Sequence, residues 1–135
     1  MIVLEKILLL SRQPLFDALS SEELHSLAGI LGEESRAAGD DLYRPGDPAD
    51  RLWLLVSGRV RILETDRLHG EEQLLGEAAL FSHRGHRHTA RCERDSELLA
   101  LRRDDLEALI HDAPGVALGL LRSLSLRLET GTGDP

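Results

Sequence analysis

The 135-residue chain has one cysteine, one methionine, one lysine and only 3% aromatic residues. A lone cysteine, Cys92, excludes an internal disulfide framework and fits a reducing compartment. Long apolar runs are missing as well. The longest near the start is Ile7-Leu8-Leu9-Leu10, too short for a membrane span or a signal-peptide core, so the cytoplasm is the expected address. Positive charge is scarce: 24 acids against 16 bases leave a net charge of −8. An acidic surface of this kind disfavours DNA and anionic lipid, and neither a nucleic-acid partner nor membrane insertion is expected. A nucleophile constellation is also lacking, since Ser57, Ser82 and Ser96 show no pattern tying them to a base; no enzymatic activity is expected. The length bounds one domain able to bury its own core.

Against that acidic background, residues 83–91 gather His83, Arg84, His86, Arg87, His88 and Arg91 with no acid among them. Just upstream, Gly76-Glu77-Ala78-Ala79-Leu80 reads as a glycine-opened turn leading into a short helix. Backbone N–H groups of Ala78 and Ala79 beside a cationic cluster suit a small anion better than a charged polymer. On spacing alone the same residues also fit an ordinary turn and a solvated basic loop.

Residues 1–10 place Val3, Leu4, Ile7, Leu8 and Leu10 at helical spacing, ending before Pro14. Such an apolar helix needs a partner: the last helix of the domain, a second copy or a larger protein. Ser20-Ser21-Glu22-Glu23 has capping-box spacing, and the helix it opens carries Leu24, Leu27, Ala28 and Leu31, with Gly32 as its stop and His25 on the solvent side. From 33 to 101 the period shortens to two. Gly39-Asp40, Pro45-Gly46-Asp47, Gly58 and Gly70 punctuate short strands, the firmest being Leu52–Val56 and Val60–Leu63 around a Ser57-Gly58 turn. Arg67-Leu68-His69 is a further short strand and Leu98–Leu101 the last. Asp104 or Asp105 then caps a helix that stops at Pro114-Gly115. A final helix aligns Ala117, Leu120, Leu121, Leu124 and Leu128, and residues 131–135 read as a disordered tail. Nothing after that helix has the length of a DNA-reading helix-turn-helix. The fold class is mainly β with flanking helices, a sandwich or jelly roll.

The stretch from Gly76 to Ala90 resembles the phosphate-binding cassette of the cyclic nucleotide-binding domains. Gly76, Glu77, Ala79, Leu80 and Thr89 match its pattern, and Pro45-Gly46-Asp47 with Leu52-Trp53-Leu54-Leu55-Val56-Ser57-Gly58-Arg59-Val60 is similar to the family's strand, glycine turn and strand. The resemblance covers roughly Phe16 to Leu128. It implies a double-stranded β-helix (jelly roll) with N-terminal and C-terminal helices, divided as a lead-in helix 1–15, the binding domain 16–130 and the tail 131–135. It further implies a regulatory module that binds cyclic AMP or cyclic GMP, with no other cofactor and no metal. The implied ligand residues are Gly76, Glu77, Ala78, Ala79, Arg84, His86, Arg87, His88 and Thr89, with Glu77 accepting from the ribose. The family's phosphate-binding arginine falls on His86, with Arg87 one residue later, and the hairpin before Gly76 is short by a few residues. An imidazole has neither the fixed charge nor the fork of a guanidinium, so nucleotide binding is expected to be altered or weak.

Two other readings follow from the residues. One is an interaction module that keeps the fold and has lost the ligand, acting through its first and last helices on a second copy or a larger effector. The other is a metal enzyme on the related cupin roll, in which His86 and His88 share a strand face and Glu93 adds a carboxylate. The glycines of a cupin metal motif are absent.

Overall fold

The helical spacing of Val3, Leu4, Ile7, Leu8 and Leu10 gives a helix over Val3–Ser11 (α1). Pro14 breaks it and opens a 3-10 turn, Pro14–Phe16, that buries Leu15 and Phe16. The capping box is formed: Ser20 Oγ accepts from the Glu23 N–H at 3.1 Å and Glu23 Oε1 accepts from the Ser20 N–H at 2.8 Å. It opens the helix Ser21–Ile30 (α2), which buries Leu24, Leu27 and Ala28 and leaves His25 exposed. Gly32 does not stop this helix. It is the first residue of a strand, Gly32–Arg36 (β1), and α2 ends two residues earlier.

The computed structural model describes residues 1–130, and the tail expected at 131–135 lies outside the described residues. The described chain divides into a β unit, Leu31–Arg103, and a helical unit made of Met1–Ile30 with the chain from Asp104 onward. In the β unit, β1 is followed by Asp41–Tyr43 (β2), Arg51–Ser57 (β3), Val60–Ile62 (β4), Arg67–His69 (β5) and Leu74–Leu75 (β6). A short helix, Glu77–Ser82 (α3), precedes Ala90–Cys92 (β7) and Ser96–Arg102 (β8). Two antiparallel sheets result, ordered β1-β8-β3-β6 and β2-β7-β4-β5. This is the jelly-roll arrangement that the strand punctuation implies.

The core of the roll comes from alternation. Val60 and Ile62 in β4, and Ala90 and Cys92 in β7, point inward, while Arg61 and Arg91 point out. They meet Trp53, Leu55, Leu75, Leu98 and Ala100 from the other sheet. Leu52 and Leu54 are buried too, so β3 is covered on both faces, which is why it reads as an uninterrupted apolar run. Cys92 is buried, and burial raises its thiol pKa, which keeps it protonated and apolar in behaviour.

The later helices are Arg103–Asp112 (α4) and Gly115–Thr130 (α5). Asp104 and Asp105 lie in the first turn of α4 rather than at its cap. The apolar stripe expected on α5 is corrected: Val116, Leu120 and Ser123 are buried, whereas Leu121 is 60% and Leu128 73% exposed. Ser123 sets that rotation, because its hydroxyl accepts the Ala18 N–H at 3.0 Å and so turns inward.

Candidate ligand-binding site

The site is built from the step between β6 and β7. Gly76 has φ +82°, and a Cβ there would stand 3.2 Å from the Arg51 carbonyl oxygen and 3.5 Å from the Trp53 ring. The left-handed conformation favours glycine there, and the close approach of Arg51 O leaves a Cβ little room. From that turn α3 runs to Ser82, and His83 at φ +60° ends it. Its first internal bond is Leu80 N–H to Gly76 O, 3.0 Å. At the far side the Arg103 guanidinium donates to the Leu80 carbonyl from Nη2 at 2.7 Å and Nε at 3.2 Å, which fixes α3 within the β unit.

Beyond α3 the basic loop is pinned at one point. His86 N–H donates to Asp47 O at 3.1 Å and His86 O accepts from Gly46 N–H at 2.9 Å. The Pro45-Gly46-Asp47 turn thus doubles as the anchor of the loop, and Gly85 passes close over it, where a Cβ would stand 3.1 Å from Asp47 O. His86 is only 6% exposed. It stacks on Tyr43 with centroids 3.7 Å apart and planes at 11°, and Trp53 lies 6.3 Å away. Burial lowers the His86 pKa against a smaller opposing pull from Asp47 and Asp50, so the neutral imidazole is the stable form at pH 7.

A cleft of about 570 Å³ lies between these parts, in the size range of small-molecule sites. Gly76, Glu77, Ala78, Ala79, Ser82 and Tyr43 line it from α3 and β2, and Arg84, Gly85, His86, Arg87 and His88 from the loop. Eight of the nine residues expected from sequence therefore meet in one cleft. Thr89 does not: its N–H and hydroxyl both bond to Glu64, at 2.7 and 2.8 Å. Arg84 and Arg87 are exposed and form no ion pair among the described residues. Arg36, Arg44, Arg51, Arg59 and Arg61 are each tied to carboxylates. Arg91 leaves the cationic cluster altogether, bonding to Asp41 at 2.8 Å.

Tyr43, Ser82 and Gly85 are the lining residues that the sequence reading missed. The chain's scarcity of aromatics is the one signal that marks Tyr43. The metal arrangement is not formed. His86 is buried in a loop, His88 is exposed, β7 begins only at Ala90, and Glu93 is bound by Arg61 and Arg59. Among the described residues no group of three His, Cys, Asp or Glu is placed to hold a metal ion.

The family model described as the cyclic nucleotide-binding domain matches residues 33–113. The chain belongs to this family. Within it, the chain is 34% identical over 125 residues to the cyclic AMP receptor protein of Thermus thermophilus, a match that covers 86% of the chain and 57% of that relative. It is 25% identical to a CRP-like cAMP-activated global transcriptional regulator of Mycobacterium tuberculosis, covering 90% of the chain and 58% of that protein. Among solved structures, the N-terminal domain of a transcriptional regulator from Streptomyces coelicolor superimposes with a TM-score of 0.79 at 35% identity, covering 93% of the chain and 95% of that structure. The chain thus spans 57–58% of the length of the two full-length regulators it matches. As a cyclic nucleotide-binding domain it is a regulatory module, with the jelly roll and flanking helices of its relatives. Among the described residues no helix is long and apolar enough to cross a membrane.

Proposed function

We propose that the domain senses a cyclic nucleotide, cyclic AMP or cyclic GMP, bound in the cleft between α3 and the 84–88 loop, and that it binds weakly. The observation that carries this reading is the convergence of Glu77 with two guanidiniums, Arg84 and Arg87, that have no carboxylate partner among the described residues. Glu77 accepts from the ribose hydroxyl, the Ala78 and Ala79 N–H groups face the phosphate, and Arg84 and Arg87 supply charge.

His86 stands at the family's arginine position, yet its ring is committed to Tyr43 and its neutral form is favoured. Charge therefore comes from exposed side chains in high dielectric, and exposed pairs are worth only ~0–1 kcal/mol each. Relative to a site with a buried, bidentate arginine, affinity is expected to be lower by roughly two to four powers of ten. Titration calorimetry with cyclic AMP and cyclic GMP at pH 7.5 and 5.5 checks this. Weak heats at pH 7.5 are expected; no heat at either pH with millimolar ligand removes the reading.

The functional unit on this account is 16–130, with 1–15 as a lead-in, no catalysis, and a cytoplasmic setting. The absence of a nucleic-acid partner is inferred only from the net charge of −8 on these residues, since two relatives are named as transcriptional regulators. One observation favours a ligand-free interaction module instead: Ile2, Leu4 and Leu8 in and before α1 and Leu118, Leu121, Leu126 and Leu128 in α5 are exposed. His86→Arg separates the two, because it strengthens nucleotide binding if the rest of the cage is competent and changes nothing if the domain works only through those helices.

A further inference from the structure

The nucleotide reading leaves one carboxylate unused. Glu64 follows β4 directly, and its two oxygens accept the Thr89 N–H at 2.7 Å and the Thr89 hydroxyl at 2.8 Å. A third bond, Leu63 N–H to Thr89 O at 3.0 Å, ties the same two segments together. Glu64 is thus a held charge and not a side chain free to swing into water. Its partner Thr89 directly follows His88 in the cleft lining, and Tyr43, which also lines the cleft, feels the carboxylate. The hydrogen bonds from Thr89, the backbone one foremost, keep Glu64 below the usual carboxylate range, so it is an anion at neutral pH.

We propose that Glu64 is the charge-selectivity residue of the cleft, a fixed negative charge beside the anion loop that admits a singly charged cyclic phosphodiester and discriminates against doubly charged linear phosphomonoesters. The proposal rests on the nucleotide reading of the cleft. Arg84, Arg87 and Glu77 are the lining's charged side chains, and Glu64 adds a negative charge just outside it, bonded to Thr89. A cyclic phosphodiester adds about one negative charge, whereas a phosphomonoester adds about 1.5 to 2 at pH 7. Each ligand charge feels Glu64 across a water-like dielectric, which over a side chain's length changes affinity by about threefold per charge. Thr89 enters as the positioning residue: its donors hold the carboxylate and are not spent on the ligand.

The test is competition titration of cyclic AMP and 5′-AMP at pH 7.5 against the wild type, Glu64→Gln and Glu64→Asp, with thermal unfolding of each. Glu64→Gln is expected to tighten cyclic AMP by about threefold and 5′-AMP by about tenfold, reducing the preference for the cyclic ligand about threefold, while Glu64→Asp keeps the wild-type preference. Binding by Glu64→Gln where the wild type shows none overturns the proposal, since Glu64 then excludes the cyclic ligand as well. Equal gains for both ligands, or none, overturn it and leave the nucleotide reading standing; no binding of either ligand by any of the three proteins removes both. If Glu64→Gln does not fold, Glu64→Ala serves, since it removes the same charge, and an unchanged preference overturns the proposal.

Discussion

His86 shows how a residue's place in the chain and its chemical role come apart. Its position in the cationic cluster is legible from sequence, but its partner is not: Tyr43 lies far off in the chain, in β2, which pairs with β7 just beyond the loop. Pattern reading sees a histidine among arginines and assigns it to the anion, whereas the folded chain uses the ring to cover Tyr43 and Trp53. This has a consequence for stability. The folded His86 pKa is depressed by burial, and His69 is depressed likewise by burial and by Arg67, against an unfolded value of about 6.5. Below that value the unfolded chain takes up protons that the folded chain refuses. Both groups therefore give full stability above pH 6.5 and lose it as the pH falls toward their folded values. His86→Phe keeps a stackable ring with no proton to gain. Its melting temperature is expected to fall less between pH 7.5 and 5.5 than that of the wild type; an identical fall shows that His86 does not titrate against the fold.

At the level of elements, the strands with alternation or continuous apolar runs were readable and those without were not. β1, Gly-Glu-Glu-Ser-Arg, has no apolar residue and no period, and it is a strand because all five of its residues pair with β8. Glu34 within it is the hub that repays a polar sequence. It accepts from Trp53 Nε1 at 3.1 Å, Arg36 at 2.7 Å and Arg51 at 2.7 Å, and although burial raises its pKa these partners hold it low. The stripe of α5 was only partly legible: Leu120 is buried as expected, but Val116 and Ser123 complete the buried side while Leu121 and Leu128 are exposed, so hydrophobicity alone does not orient the helix. The β3–β4 connection, by contrast, was legible through Gly58. At φ +111° a Cβ there would lie 2.2 Å from Ser96 Oγ and 2.8 Å from Ser96 Cα, and backbone cannot yield as a flexible side chain does. Gly58→Ala is expected to lower unfolding free energy by at least ~2 kcal/mol. Urea unfolding checks it, and a midpoint within error of the wild type would show that the turn relaxes without cost.

Across the whole chain, the roll is closed by strands far apart in sequence, whereas its cleft is lined mostly by residues close in sequence, Gly76 to His88, set against Tyr43 of β2. That locality is why eight of the nine residues expected at the site could be placed in one cleft without coordinates and why the aromatic backing could not. Family membership rests on residues 33–113, and the 34% identity to a cyclic AMP receptor protein runs through most of the chain. What separates a sensor from an inert scaffold is whether the cleft takes a nucleotide, and where. Amide chemical-shift mapping of the labelled protein with cyclic AMP at pH 7.5 decides it most directly. The expected result is saturable perturbation at residues 76–79 and 84–88; a spectrum unchanged at millimolar cyclic AMP, or shifts confined to α1 and α5, would contradict the account.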